Sequence, residues 1–137
     1  VNRQDFRRLA LIRSDEARLL LKARRYSGAY YLAGYVIECA LKACIARKTR
    51  RGDFPDRKLV NQSYTHNLEA LMGAAGLETQ LEADVKSNSK LGVHWSVVRE
   101  WSEENRYARK DRVEAENLLR AVHDPVDGVL TWLKLHW

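Results

Sequence analysis

Along the first part of the chain, Phe6, Leu9, Ala10, Ala17, Leu20 and Leu21 recur at three- and four-residue steps, with Arg and Glu filling the positions between. That is the period of a helix with one dry face. The pattern predicts an amphipathic helix from about Asp5 to Arg24, broken by Ser27 and Gly28. The next stretch, Ala29 to Lys48, reads AYYLAGYVIECALKACIARK and is apolar on almost every side. Its strong helix formers predict a central helix. A run of about twenty residues is also too long for an ordinary strand.

From Arg50 to Thr65 the chain is polar, and Gly52 and Pro55 predict a surface loop. Thr65 offers an N-cap for a short helix through about Ala75, closed by Gly76, with Leu68, Leu71 and Met72 as its apolar stripe. Glu78 to Lys86 reads as another short helix. Lys90 to Glu104 places Leu91, Trp95, Val98 and Trp101 or Ser102 near one face, predicting a helix that docks its tryptophans, with Asn105 to Lys110 as its exit loop. Asp111 to His136 carries Leu119, Val122, Val126, Val129, Leu130 and Leu133 at helical spacing, followed by Trp137. Asp124 and Pro125 mark a kink or an Asp-capped restart within it. The expected fold is all-α: one domain over residues 1–137, an antiparallel bundle of four main helices with short accessory ones.

Composition adds bounds rather than chemistry. With 137 residues, 45% of them hydrophobic, the chain can bury a substantial core without disulfides or metal. Cys39 and Cys44 stand five apart in an apolar run, turned away from each other on a helix, and two cysteines without a clustered His pair cannot supply four zinc ligands. No cofactor or metal is expected. A net charge of +6 favours an anionic partner such as a nucleotide or RNA, although acidic residues are mixed through the chain. The opening VNRQDFRR lacks an apolar signal core, and Glu38 and Lys42 interrupt the longest hydrophobic run, so a cytoplasmic protein without membrane contact is expected.

Glu38 and Lys42 lie one turn apart on the otherwise apolar central helix. They form either a solvent-facing pair or a polar groove or dimer seam, because burying either charge alone would cost several kcal/mol, of order 3–5. Tyr26, Tyr30, Tyr31 and Tyr35 spread around the same helix, and Tyr31 and Tyr35 are candidates for a homodimer interface there. A second cluster comprises Arg99, Glu103, Glu104, Arg106 and Tyr107, with Arg99 and Glu103 expected on one helical face. Arg106, Arg109, Lys110 and Arg112 could neutralise phosphates while Tyr107 stacks on a base. Arg47, Lys48, Arg50 and Arg51 suit a helix C-terminus for structural reasons alone. His66 is expected to fix the loop to its helix; His94, His123 and His136 show no catalytic partner by spacing.

The segment SGAYYLAGYVIECALKACIARK, followed by THNLEAL and WSVVREWSEENRY, resembles the HEPN domains of bacteria and archaea over roughly residues 14 to 133. The likeness implies a small helical bundle, often encoded beside a minimal nucleotidyltransferase. HEPN nucleases carry Arg, four to six residues, then His, and pair these groups across two subunits to cleave RNA. Here no Arg stands five to seven positions ahead of His66, His94, His123 or His136, and Arg120 precedes His123 with only two residues between. The resemblance therefore implies a non-nucleolytic partner: a homodimer that binds a nucleotidyltransferase, a nucleotide or RNA. Glu38, Lys42, Arg99, Glu103, Arg106 and Tyr107 are its candidate contacts, and no residue is assigned a catalytic step. A diverged ribonuclease using Arg106 with His94 or His123, and a plain dimerisation module, are the alternatives.

Overall fold

In the computed structural model, which describes residues 1–49, 53, 54 and 56–137, the chain opens on a capping box. The Asn2 side chain accepts from the Asp5 amide, and the Asp5 carboxylate accepts from the Asn2 amide, starting helix α1 (Arg3–Lys22). α1 stops at a Schellman turn. The Arg25 amide donates to Leu20 at 2.8 Å and the Arg24 amide to Leu21 at 3.0 Å. Arg24 occupies the left-handed position, φ 61°, that glycine usually fills. The break between the first two helices therefore lies at Ala23–Arg25, not at Ser27 and Gly28, and α2 (Tyr26–Arg47) begins three residues earlier than expected. Once the backbone has turned, Ser27 and Gly28 enter the helix without cost to capping.

The remaining elements are α3 (Arg57–Ser63), α4 (Leu68–Ala74), α5 (Glu78–Ser87), α6 (Ser89–Val98), a 3₁₀ turn (Glu103–Tyr107), α7 (Arg112–His123) and α8 (Val129–Lys134). Among the described residues there is no strand. The all-α expectation holds, with several boundaries moved. The polar connection contains α3, started by the Asp56 side chain on the Lys58 amide. The expected break at Gly52 and Pro55, and the Arg50 and Arg51 part of the basic run, fall outside the described residues. α4 is capped by Asn67, whose side chain accepts from the Ala70 amide, while the Thr65 hydroxyl accepts from the Asn67 amide one step earlier. The expected helix over 111–136 is two: Asp124 turns back to accept from the Val126 and Asp127 amides, and α8 restarts after Gly128. Val126 sits in that turn at 77% exposure, outside the stripe expected of it.

α2 is the axle of the bundle. α1 lies along it as a helical hairpin, and α4, α7, α8 and the 3₁₀ turn close on its other sides. By length and composition α2 could cross a membrane, but 67% of that stretch is buried within this protein. An all-round apolar helix is what a central core position demands. The Arg3 guanidinium donates to the Trp137 carbonyl, Arg7 stacks 5.2 Å from the Trp137 ring, and Arg47 donates to the His136 carbonyl at 3.1 Å, tying the last turn to α1 and α2.

Two contacts fix how the layers meet. Trp101 lies across Gly34 of α2, where an added Cβ would come within 2.0 Å of the indole ring. Between α1 and α7, buried Ser14 meets His123 Nε2 at 2.6 Å. Burial, with Arg18 and Lys134 adding repulsion, pulls the His123 imidazole down to about 4 from its ordinary 6.5.

Replacing Gly34→Ala is expected to lower the unfolding free energy by about 2–3 kcal/mol and to alter the near-ultraviolet signal of the tryptophans. Unchanged urea denaturation would show that the indole does not need the bare backbone. His123 folds in its neutral form, so its contribution is complete above about pH 6.5 and is lost as the pH falls toward 4. The loss should amount to roughly 3 kcal/mol over that window, at about 1.4 kcal/mol per unit. Urea midpoints at pH 7.5 and 4.5 should therefore differ less in His123→Gln than in the natural protein.

Candidate functional site

Glu38 is one of two buried polar residues in the bundle, 4% exposed, and the only charged one among the described residues. A carboxylate placed there is stable only with partners on each open side. Lys42, one turn along α2, donates to Glu38 Oε1 at 3.0 Å. His66 Nδ1 lies 2.9 Å from Oε1 and 3.0 Å from Oε2. The opposite ring nitrogen, Nε2, is 3.1 Å from Glu103 Oε2 on the 3₁₀ turn. The pair on α2 is thus neither a solvent-facing stripe nor isolated. It begins a chain of polar contacts running from Lys42 through Glu38 and His66 to Glu103, from the core to the surface.

Local structure sets each member. His66 precedes the Asn67 cap, so the start of α4 holds its imidazole against α2. Glu103 reaches His66 because α6 ends early. Sequence periodicity carries the tryptophan helix to Glu104, whereas α6 stops at Val98; Trp101 drops onto Gly34, and Ser102 is extended and capped by a box with Asn105. Arg99 and Glu103 therefore do not share a helical face. Arg99 turns to Glu69 at 3.5 Å while Glu103 turns to His66. The expected exit loop over 105–110 is in part this 3₁₀ turn.

Between the start of α4 and the Trp101 segment lies a groove of about 540 Å³ lined by His66, Glu69, Arg99, Trp101, Glu103 and Glu104, among others. Four glutamates border it, Glu69, Glu100, Glu103 and Glu104, against Arg99 and His66. On a chain of net charge +6, the groove is locally acidic. His66 presents one ring nitrogen to each of two carboxylates, Nδ1 to Glu38 and Nε2 to Glu103.

Tyr31 and Tyr35, expected at a dimer seam, are partly buried and pack against one another and against Trp101. Their rings meet edge to face at 5.0 Å, the Tyr31 hydroxyl donates to that of Tyr35 at 3.2 Å, and both lie against Trp101 at 6.0 and 5.3 Å. Burial, the Tyr31 hydroxyl and Glu38 raise the Tyr35 phenol far above its usual range, so it remains a neutral wall beside His66. Arg106 and Tyr107 sit on the outer side of the 3₁₀ turn, both exposed, with the guanidinium 4.7 Å from the ring centroid. Cys39 carries no nucleophile: burial beside Glu38 pushes its thiol up to about 11. Among the described residues, no group of three or more His, Cys, Asp or Glu is placed to share a metal ion.

Six candidate residues thus fall into three places: Glu38, Lys42 and Glu103 in the network, Arg99 on the groove rim, Arg106 and Tyr107 outside it. His66, which joins the network, lies 28 residues from Glu38 and shows no periodic relation to it. Its only signal in the sequence is a histidine placed immediately before a helix cap. Glu38→Ala should destabilise the protein by about 3–5 kcal/mol, since it leaves Lys42 and His66 facing a cavity. His66→Ala should cost about 1–3 kcal/mol and speed amide exchange in residues 103–107 ahead of the rest of the chain. Equal exchange throughout would mean that His66 does not hold the turn.

A family model described as the HEPN domain matches residues 4–134. Neither the curated proteins nor the solved structures provide a match. The matched span runs from the first turn of α1 to the end of α8, taking in the whole polar network and its groove, and the chain belongs to the HEPN domain family.

Proposed function

We propose that this HEPN domain is a non-nucleolytic binding component of a two-gene system, a cytoplasmic homodimer whose groove beside Trp101 receives a segment of a partner chain. The partner class is a minimal nucleotidyltransferase. The observation that carries the reading is the bracing of that groove: a charge 4% exposed, Glu38, is spent on fixing His66 and, through it, Glu103 at the groove wall. Rigid side chains on a preformed surface bind with less loss of freedom. The four glutamates on the rim favour a basic segment over a phosphate.

The missing Arg and His spacing argues against RNA cleavage, and the histidines considered for it are engaged elsewhere: His123 with Ser14, His94 with Asp124 at 3.3 Å. One observation favours a second reading, in which a nucleotide or RNA is the ligand. Arg106 and Tyr107 present a stacked guanidinium and phenol to solvent, with exposed Arg109 close by in sequence, outside the acidic groove.

Titration calorimetry with a minimal nucleotidyltransferase as the titrant tests the main reading. Glu69→Lys and Glu103→Lys should each weaken binding by about tenfold or more, with Arg106→Ala changing it little. Loss of ATP or RNA binding in Arg106→Ala, with the groove variants unaffected, would transfer the role to the Arg106 surface. RNA cleavage abolished by Arg106→Ala would overturn the non-nucleolytic assignment.

A further inference from the structure

We infer that the outward face of α1 is a self-complementary seam on which a second copy of this chain docks antiparallel, with its twofold axis between Leu11 and Ile12. The inference rests on the homodimer reading and names its surface. α1 commits Ala10, Ser14 and Ala17 to the core. Its opposite side leaves three aliphatic residues uncovered: Leu11 at 45%, Ile12 at 42% and Leu19 at 67% exposure. Arg8, Ile12, Asp15 and Leu19 follow one another at steps of four, three and four residues, which is one stripe of a helix. Leu11 and Arg18 flank it, and both are exposed.

Charge order selects the occupant. The first 25 residues hold eight Lys and Arg against three Asp and Glu, five of the six net positive charges. Two such helices repel unless their few acids meet bases. About the midpoint of Leu11 and Ile12 the stripe is its own complement, because Arg8 and Asp15 are equidistant from it. A twofold axis there sets Arg8 against Asp15 of the second copy and brings Leu11 and Ile12 of both copies to the axis, every contact occurring twice. Other arrangements lose this. A parallel pairing in register stacks Arg8 on its own copy, and an axis through Asp15 brings two carboxylates together while Arg8 faces Lys22. Among the described residues Arg8, Asp15 and Arg18 enter no ion pair within the chain, so their charges are available. A membrane surface fits less well, because Asp15 stands in the middle of the face.

The test is size-exclusion chromatography with light scattering over a dilution series, with circular dichroism to confirm folding of these surface variants. The natural chain should be dimeric. Arg8→Asp and Asp15→Arg should each raise the dimer dissociation constant by about tenfold or more, and the two combined should return it to within about threefold of the natural value. The combined variant has the natural net charge and exchanges only the order of the pair. A dimer that neither single variant weakens, or a combined variant that stays monomeric, overturns this seam and leaves the homodimer standing. A natural chain that is monomeric throughout overturns both.

Discussion

Trp101 lying across Gly34 constrains most of what surrounds it. The indole needs bare backbone on α2, and bringing it there ends α6 after Val98. The chain then leaves Trp101 in an extended step at Ser102 and coils into the 3₁₀ turn, which delivers Glu103 to His66. A longer α6 with an alanine at position 34 would satisfy helix propensity better, but would carry Glu103 elsewhere. Among the described residues no side chain or carbonyl bonds the buried indole Nε1, so the ring is held there by packing. Tyr31 and Tyr35 supply part of that packing from the same face of α2.

Around this contact the bundle divides its labour. α1 and α2 form a long hairpin held by local apolar contacts, whereas the short α4 adds to its buried Leu68, Leu71 and Met72 the bond from His66 to Glu38 of α2, and the 3₁₀ turn is tied to His66 through Glu103. Glu38 is the common point. Its two oxygens serve Lys42 from its own helix and His66 from another segment, so this buried charge also fixes the position of the start of α4. The surface pair Arg99 and Glu69, about half exposed on both sides, contributes little by comparison, roughly 0–1 kcal/mol.

Where the sequence was readable, the reason is periodicity. α1, α2 and α5, and the existence of helix on both sides of Asp124, follow from spacing and caps visible in the residues. α3 was hidden because its seven residues bury none of their side chains and so leave no apolar period. The premature end of α6 was hidden because Trp101 continues the apolar spacing after the helix has stopped; only its fit to Gly34, 67 residues away, explains the break. The Schellman turn at Arg24 leaves no mark in the sequence because an arginine stands where glycine usually signals the position. Glu38 and Lys42 were conspicuous as charges in an apolar run. Their third partner was not, since no spacing rule links a histidine to a carboxylate on another helix.

The same separation has a kinetic meaning. The hairpin of α1 and α2 closes a short loop and can form early, while the bond from Glu38 to His66 must close 28 residues before it yields anything. The bond from His66 to Glu103 joins segments still farther apart in the chain, and His66 is 41% exposed. The wall of the groove is therefore made of contacts that are late to assemble and near to water. The hairpin can therefore stand before the groove does, and the groove becomes a preformed surface only when the whole bundle has closed.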